Sequence, residues 1–406
     1  MENFYLHFFY IEKGIIMDMA WIIDTFFAIF SFTLIILMVP GFAMLEAGLV
    51  RTKNVTAVLT INTMIYMVAG LVFFLWGYNL AFGGWNDSSM SKYAAFLFQM
   101  AFVGKTVNIV SGGISERSRI IPLAVFALFM AGLIYPLAVN LTWGSNILAN
   151  TPFDISNMHD LAGSSVIHST GGWALLAAIL IIGPRKGKYT KSGRIRVIPA
   201  NNIPLVVLGA FLLWIGWFGF NGGSVSSISS KDAADMVALV ILNTNNAGLI
   251  GGFTVFVLSY LKYKKFDITM ILNGALGGLV AITAGADVVN PYEALIIGAI
   301  GGIIVFFAVP FFDRIKIDDP VGALSVHLLN GIWGTLAAGI WGKGVSLAAQ
   351  TKGILIIGVF AFSISYIIIF IINKIIAFRA DEEHEIEGLD VNECGIEAYP
   401  EFKRTF

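Results

Sequence analysis

A succession of eleven long apolar segments leaves this chain little freedom in how it can fold. They run roughly over Trp21–Val50, Thr56–Phe82, Tyr93–Ile114, Ile120–Trp143, Asp160–Pro184, Pro199–Phe220, Ala233–Tyr260, Ile268–Ala286, Glu293–Phe312, Val321–Trp341 and Gly353–Phe378. A helix needs about 20 apolar residues to cross a bilayer, and in lipid the backbone must satisfy its own polar groups. The expected fold class is therefore an all-α polytopic membrane protein with eleven transmembrane helices. Composition agrees, with 57% apolar and 13% charged residues, against about half and a quarter in soluble domains. The 43 glycines suit close helix approach in lipid and the 33 phenylalanines can face acyl chains. A net charge of -1 gives no case for nucleic-acid binding, and the single cysteine, Cys394, excludes a disulfide framework or a Cys-based metal site.

Positive charge in the loops sets the orientation. One set of alternate loops carries fifteen Lys and Arg residues, among them Arg51, Lys53, Arg117, Arg185, Lys188 and Arg314, while the opposite set has five: Lys13, Lys92, Lys231, Lys343 and Lys352. The N-terminus is expected outside and, after eleven spans, the C-terminus inside. Three regions follow: an N-terminal extension over 1–20, the helical domain over 21–378 and an acidic cytoplasmic tail over 379–406. The extension resembles a signal peptide poorly, since Glu2 stands near its start and no small-x-small cleavage site is evident, so Met17 or Met19 is a candidate start. The tail holds nine acids against three bases.

The pattern Asp160-x2-Gly163-x4-His168-x3-Gly172 recurs as Asp319-x2-Gly322-x4-His327-x3-Gly331, 159 residues later. The copies open the fifth and tenth spans, so each belongs to a five-helix unit, and the odd span count sets the units in opposite orientations. Inverted repeats of this kind place a transport site near the midplane. Each histidine lies about 12 Å into its helix at 1.5 Å per residue, which brings both imidazoles toward the centre from opposite faces. The plain alternative is two satisfied core histidines, but ionisable groups at membrane depth are rare and mostly functional. A metal would need three or four ligands. The other histidines, His7, His159 and His384, are expected near or beyond the surface, and Glu46 is the one acid that stands out at depth, close to Arg51 and Lys53. Asp160 most simply caps the fifth helix, and Asp319 plays the same part at the cytoplasmic mouth.

The stretches Pro40-Gly-Phe-Ala-Met-Leu-Glu46 through Asn54, Phe98-Gln-Met-Ala-Phe102, Glu116-Arg117, Asp160-Leu-Ala-Gly163, Gly216-Trp-Phe-Gly-Phe220-Asn221-Gly-Gly-Ser224 and Glu387-Gly-Leu-Asp390 resemble the ammonium transporter family (Amt/Mep/Rh) of prokaryotic Amt type almost from end to end. The resemblance implies a homotrimer with one pore per subunit, an external vestibule that recruits ammonium at Phe102, Trp143 and Ser224, a stacked gate of Phe102 and Phe220, and pore histidines His168 and His327. It also implies a structural or deprotonating part for Asp160 and a PII-type signalling protein as partner at the cytoplasmic face. No cofactor or metal is implied. Lys105 in the third span and Asp287 near the outer end of the eighth depart from the family pattern, as does Glu393-Cys394-Gly395-Ile396 in the tail.

Aromatic faces attract a cation by about 0.5–2 kcal/mol each, whereas carrying a bare charge through a dry pore costs several kcal/mol or more. The expected mechanism is therefore deprotonation at the vestibule and passage of ammonia, with or without its proton, past neutral imidazoles. Potassium has no proton to lose. An enzyme is not expected: Ser169 and Ser325 are near the histidines in sequence, but a serine adjacent to a histidine on a helix points to another face, and no Gly-x-Ser-x-Gly motif or aspartate dyad accompanies them. An ammonium sensor that transports little is the alternative.

Overall fold

The computed structural model describes residues 2–85 and 89–402, with side chains from 17 to 85 and from 89 to 401. Much of the expected extension over 1–20, including Glu2, His7 and Lys13, and the tail bases Lys403 and Arg404 thus have side chains outside the described residues. Among the described residues the regular structure is helical, and nine helices are long and apolar enough to cross a membrane. They are α1 (Met17–Leu49), α2 (Thr52–Phe82), α3 (Lys92–Gly113), α4 (Ile120–Thr142), α5 (Ser164–Ile182), α6 (Ile203–Gly223), α7 (Lys231–Tyr263), α9 (Pro291–Arg314) and α11 (Leu347–Ile375). The other two expected spans are present but shorter as continuous α-helix. The first, α8 (Ile268–Ile282), is 15 residues long and passes into turns. The second, α10, is made of a π-helical Leu324–Leu329 followed by Asn330–Trp341.

Side-chain caps start many of these helices. Asn202 accepts from Leu205 N–H, Ser230 from Ala233, Asp267 from Thr269 and Met270, and Ser346 from Ala349. Asn290 and Glu293 form a reciprocal capping box on α9. The outer surface is apolar: Phe26, Leu71, Phe74, Leu75, Phe253, Leu355 and Val359 are each more than half exposed. The interior holds buried polar groups such as Asn62, Lys105, Asn108, Ser164, Asn243 and Asn330. That distribution is the one a lipid solvent requires. Where α7, α8 and α9 cross, a Cβ on Gly278 would lie 2.1 Å from Ala247 O and one on Gly302 2.5 Å from Gly251 O, so only glycine permits the observed approach.

A candidate pore lined by paired histidines

The repeated motif has one structural meaning in both copies. Asp160 accepts four backbone N–H groups, from Gly163 and Ser164 on Oδ1 (2.9 and 2.8 Å) and from Ser165 and Val166 on Oδ2 (2.8 and 3.0 Å). Asp319 accepts from Val321, Gly322 and Leu324. Gly163 and Gly322 follow with φ of 108° and 78°, a left-handed conformation that a side chain would strain. The histidines then sit in π-helical turns, Ser164–Ser169 and Leu324–Leu329, a geometry that recurs at functional sites. The last glycine of each copy lies where α5 and α10 cross. A Cβ on Gly172 would come within 2.6 Å of Leu328, and one on Gly331 within 2.4 Å of Ser164 O.

These devices bring His168 and His327 together. Their Nδ1 atoms are 3.1 Å apart and the rings stack at 5.1 Å with 15° between planes. Both are almost fully buried. One Nδ1 must donate and the other accept, so as neutral rings the pair presents one Nε2 acceptor and one Nε2–H donor. His168 Nε2 is buried without a protein partner.

From the histidines a file of rings runs in both directions. His168 lies 5.6 Å from Phe220, Phe220 4.5 Å from Phe102 and Phe102 6.4 Å from Trp143; on the other side His327 lies 6.2 Å from Phe42. Phe102 and Phe220 are expected to stack, but they meet edge to face at 72°, the arrangement that opposes the positive edge of one ring to the negative face of the other. Both are fully buried, so the rings close the path here. Trp143 and Ser224 are half-buried. Trp143 Nε1–H donates to Asp160 O at 2.7 Å, tying the expected vestibule to the helix cap, and Ser224 Oγ–H donates to Phe220 O at 2.8 Å, leaving its lone pairs free to accept. Trp217, for which sequence reasoning offered no role, stacks on His168 at 5.1 Å and donates to Thr283 Oγ1; its one signal is its place beside Phe220 in the Gly216–Ser224 run.

Toward the other end, Phe42, Leu45, Glu46, Asn108, Asn273 and His327 share a cavity of about 20 Å³. Glu46 accepts from Asn62 Nδ2–H at 2.9 Å and from Ser111 Oγ–H at 3.3 Å. Its proximity to Arg51 and Lys53 in sequence does not make an ion pair. Arg51 bonds Glu116 at 2.5 Å, and Lys53 donates to the tail carbonyls of Glu385, at 3.0 Å, and Ile386. Lys105 is buried, and among the described residues it has no ion pair or hydrogen bond. Beyond the cavity lies a charged cluster that sequence reasoning missed. Arg185 bonds both Asp318 oxygens at 2.9 Å and approaches Glu116 at 3.3 Å, and Arg117 Nη2–H donates to Asp318 O at 2.7 Å. Burial works against charge on Asp318, yet the bonds and charges of Arg185 and Arg117 hold its carboxylate well below the usual range. At the equivalent place in the first copy, His159 Nε2 meets Asp287 at 3.0 Å, which supplies the departing Asp287 with a partner.

The model of the Ammonium Transporter Family matches residues 26–399. Amt2 of Archaeoglobus fulgidus is 34% identical, over 94% of this chain and 89% of its own, and a putative ammonium transporter of Synechocystis sp. is 35% identical over 95% and 91%. The chain belongs to the ammonium transporter family. Ammonium transporters are multi-pass membrane proteins, and the relatives are named as transporters rather than enzymes. Among solved structures, a sensor Amt protein superposes with a TM-score of 0.87 at 32% identity, covering 93% of this chain and 99% of that one. Candida albicans Mep2 has the same fold, with a TM-score of 0.80 at 24% identity over 91% and 88%.

Proposed function

We propose that this ammonium transporter recruits ammonium from outside at Phe102, Trp143 and Ser224, removes its proton, and conducts ammonia past Phe220, His168 and His327 into the cytoplasm. The observation that carries this reading is the Nδ1–Nδ1 contact of the two histidines at 3.1 Å. Two imidazolium ions cannot share that bond, so the pair is suited to a neutral guest that both accepts and donates. Phe102 and Trp143 offer ring faces worth about 0.5–2 kcal/mol each to a cation. The buried, closed Phe102–Phe220 contact stands against passage of the hydrated ion. Asp160 spends its carboxylate oxygens on four N–H groups, which favours a structural part in ordering the turn that carries His168.

In this reading all eleven helices cross the membrane, α1–α5 and α6–α10 form the inverted units, the N-terminus is outside and the tail cytoplasmic. The working form is a homotrimer whose cytoplasmic face receives a PII-type protein. The sensor Amt structure, at 32% identity, favours one second reading: ammonium sensing with little transport. Proteoliposomes decide between them. Selective uptake of ammonium and methylammonium with potassium excluded is the expected result; ammonium binding without uptake would leave the sensor.

A further inference from the structure

Glu46 is 1% exposed on the half of α1 that faces His327 across the small cavity, and no cation among the described residues pairs with it. Its two hydrogen-bond donors are neutral, Asn62 and Ser111. The cavity, at about 20 Å³, has room for one molecule of the size of water or ammonia. Gly112 keeps it open: a Cβ there would stand 2.9 Å from Val321 and 3.0 Å from Glu46 Oε1. An unpaired carboxylate is costly to bury and an ionisable group at membrane depth is a functional site by default.

We propose that this cavity is an inner ammonia site and that Glu46 returns the proton there. The inference rests on the ammonia-conducting reading above. Ammonia leaving the histidine pair enters the cavity; the Glu46 O–H bond breaks, an N–H bond forms, and ammonium departs toward the cytoplasm from a carboxylate. The carboxyl is restored by the proton taken from ammonium at the outer end, handed across the Nδ1–Nδ1 hydrogen bond to His327, which lines the same cavity. Each cycle then carries one ammonia and one proton, and transport is electrogenic. The elements packed around Glu46 bring few other titratable groups: Tyr66 and Tyr78 on α2, Lys92, Tyr93 and Lys105 on α3 and His327 on α10, with none on α6 or α8, while Arg51, Lys53 and Glu116 lie at the cytoplasmic end.

The test uses full-length protein in proteoliposomes and the variant Glu46→Gln, which keeps an oxygen for Asn62 but cannot exchange the proton. Ammonium-elicited current should fall at least about tenfold, while internal alkalinisation driven by an ammonia gradient persists. An unchanged current overturns the proposal, and so does loss of both signals in a variant that elutes as wild type, since that marks a structural residue. A second measurement needs no variant: ammonium should perturb a carboxyl C=O stretch in the infrared difference spectrum of the wild-type protein, and its absence would also overturn the role of Glu46. Absence of wild-type uptake and current altogether would instead remove the transport reading on which this one stands.

Discussion

Two imidazoles in a membrane interior have to satisfy four ring nitrogens, and this chain pairs two of them; the proposed guest meets the others. Replacing either ring by Ala removes the partner as well as the side chain, so His168→Ala and His327→Ala should each abolish selective ammonium uptake while the protein stays folded. Normal uptake with potassium still excluded, in both variants, would dismiss the paired-histidine mechanism. The rings above the pair give a second prediction. Phe220 touches Phe102, His168 and Trp217, whereas Phe370 on α11 is a half-exposed ring that meets no part of this file. Phe220→Ala should therefore change the flux rate at least several-fold more than Phe370→Ala, and equal effects would reduce Phe220 to packing. His168, His327 and Asp160 were legible because one pattern occurs twice with identical spacing. Glu116, Arg185 and Asp318 were not, because their contacts join positions 69 and 133 residues apart and no local periodicity records them.

At the scale of an element, the turn that opens α5 is held from three sides. Gln350 of α11 accepts from His159 N–H and donates to His159 O and Thr335 O, and the His159 ring reaches Asp287 beyond α8. Burial opposes charge on His159, but its bond to Asp287 and the charges of Asp287 and Asp160 outweigh it and raise the imidazole above its ordinary value. Because the folded value is the raised one, protonation favours the folded state. The contribution is complete below the unfolded histidine value and disappears as pH rises through the folded one. The Tm of the detergent-solubilised protein should thus fall as pH rises from about 6 to about 9, and His159→Gln should remove that part of the slope. An identical slope in the variant would show that the clasp contributes nothing. The spans themselves were read from apolar length, which does not show that the backbone within them is uneven: α5 and α10 begin as π-helices, α2 and α4 contain π-helical turns and α8 runs into turns. Hydropathy reports what a segment is made of, and it does not register how its backbone hydrogen bonds are spaced.

For the whole molecule, the question is what the acidic tail does to the pore. Of the basic residues Arg185, Lys186, Lys188 and Lys191 in the loop after α5, Lys186 meets the tail, bonding Glu382 at 2.9 Å. Arg185 and Lys188 are engaged by Asp318 and Asp313 instead. Such exposed pairs contribute about 0–1 kcal/mol, so charge alone does not hold the tail. Its anchorage is local and partly buried. Beyond the short helix α12 (Glu382–Glu387), Leu389 N–H donates to Asn54 Oδ1 and Asp390 Oδ1 accepts from Ala57 N–H, at the start of α2. Glu393 bonds Arg119 and the N–H of Ile120 at the start of α4. Gly388, with φ of 124°, passes Lys53 so closely that a Cβ would lie 2.5 Å from its carbonyl oxygen. A tail clamped to the starts of two pore-domain helices can bias their arrangement at the inner mouth, and a PII-type protein acting on that face would read or reset it. Deleting residues 381–406 should therefore lower uptake without preventing membrane insertion, and Gly388→Ala, which strains the backbone and meets Lys53, should lower it in the same direction. Uptake assays on both variants, with pull-down of full-length and truncated protein by the cognate PII protein under varied nucleotide and 2-oxoglutarate, check this. Wild-type uptake in both variants would make the tail a passive extension, and absence of binding under every effector condition would remove the PII protein as a partner.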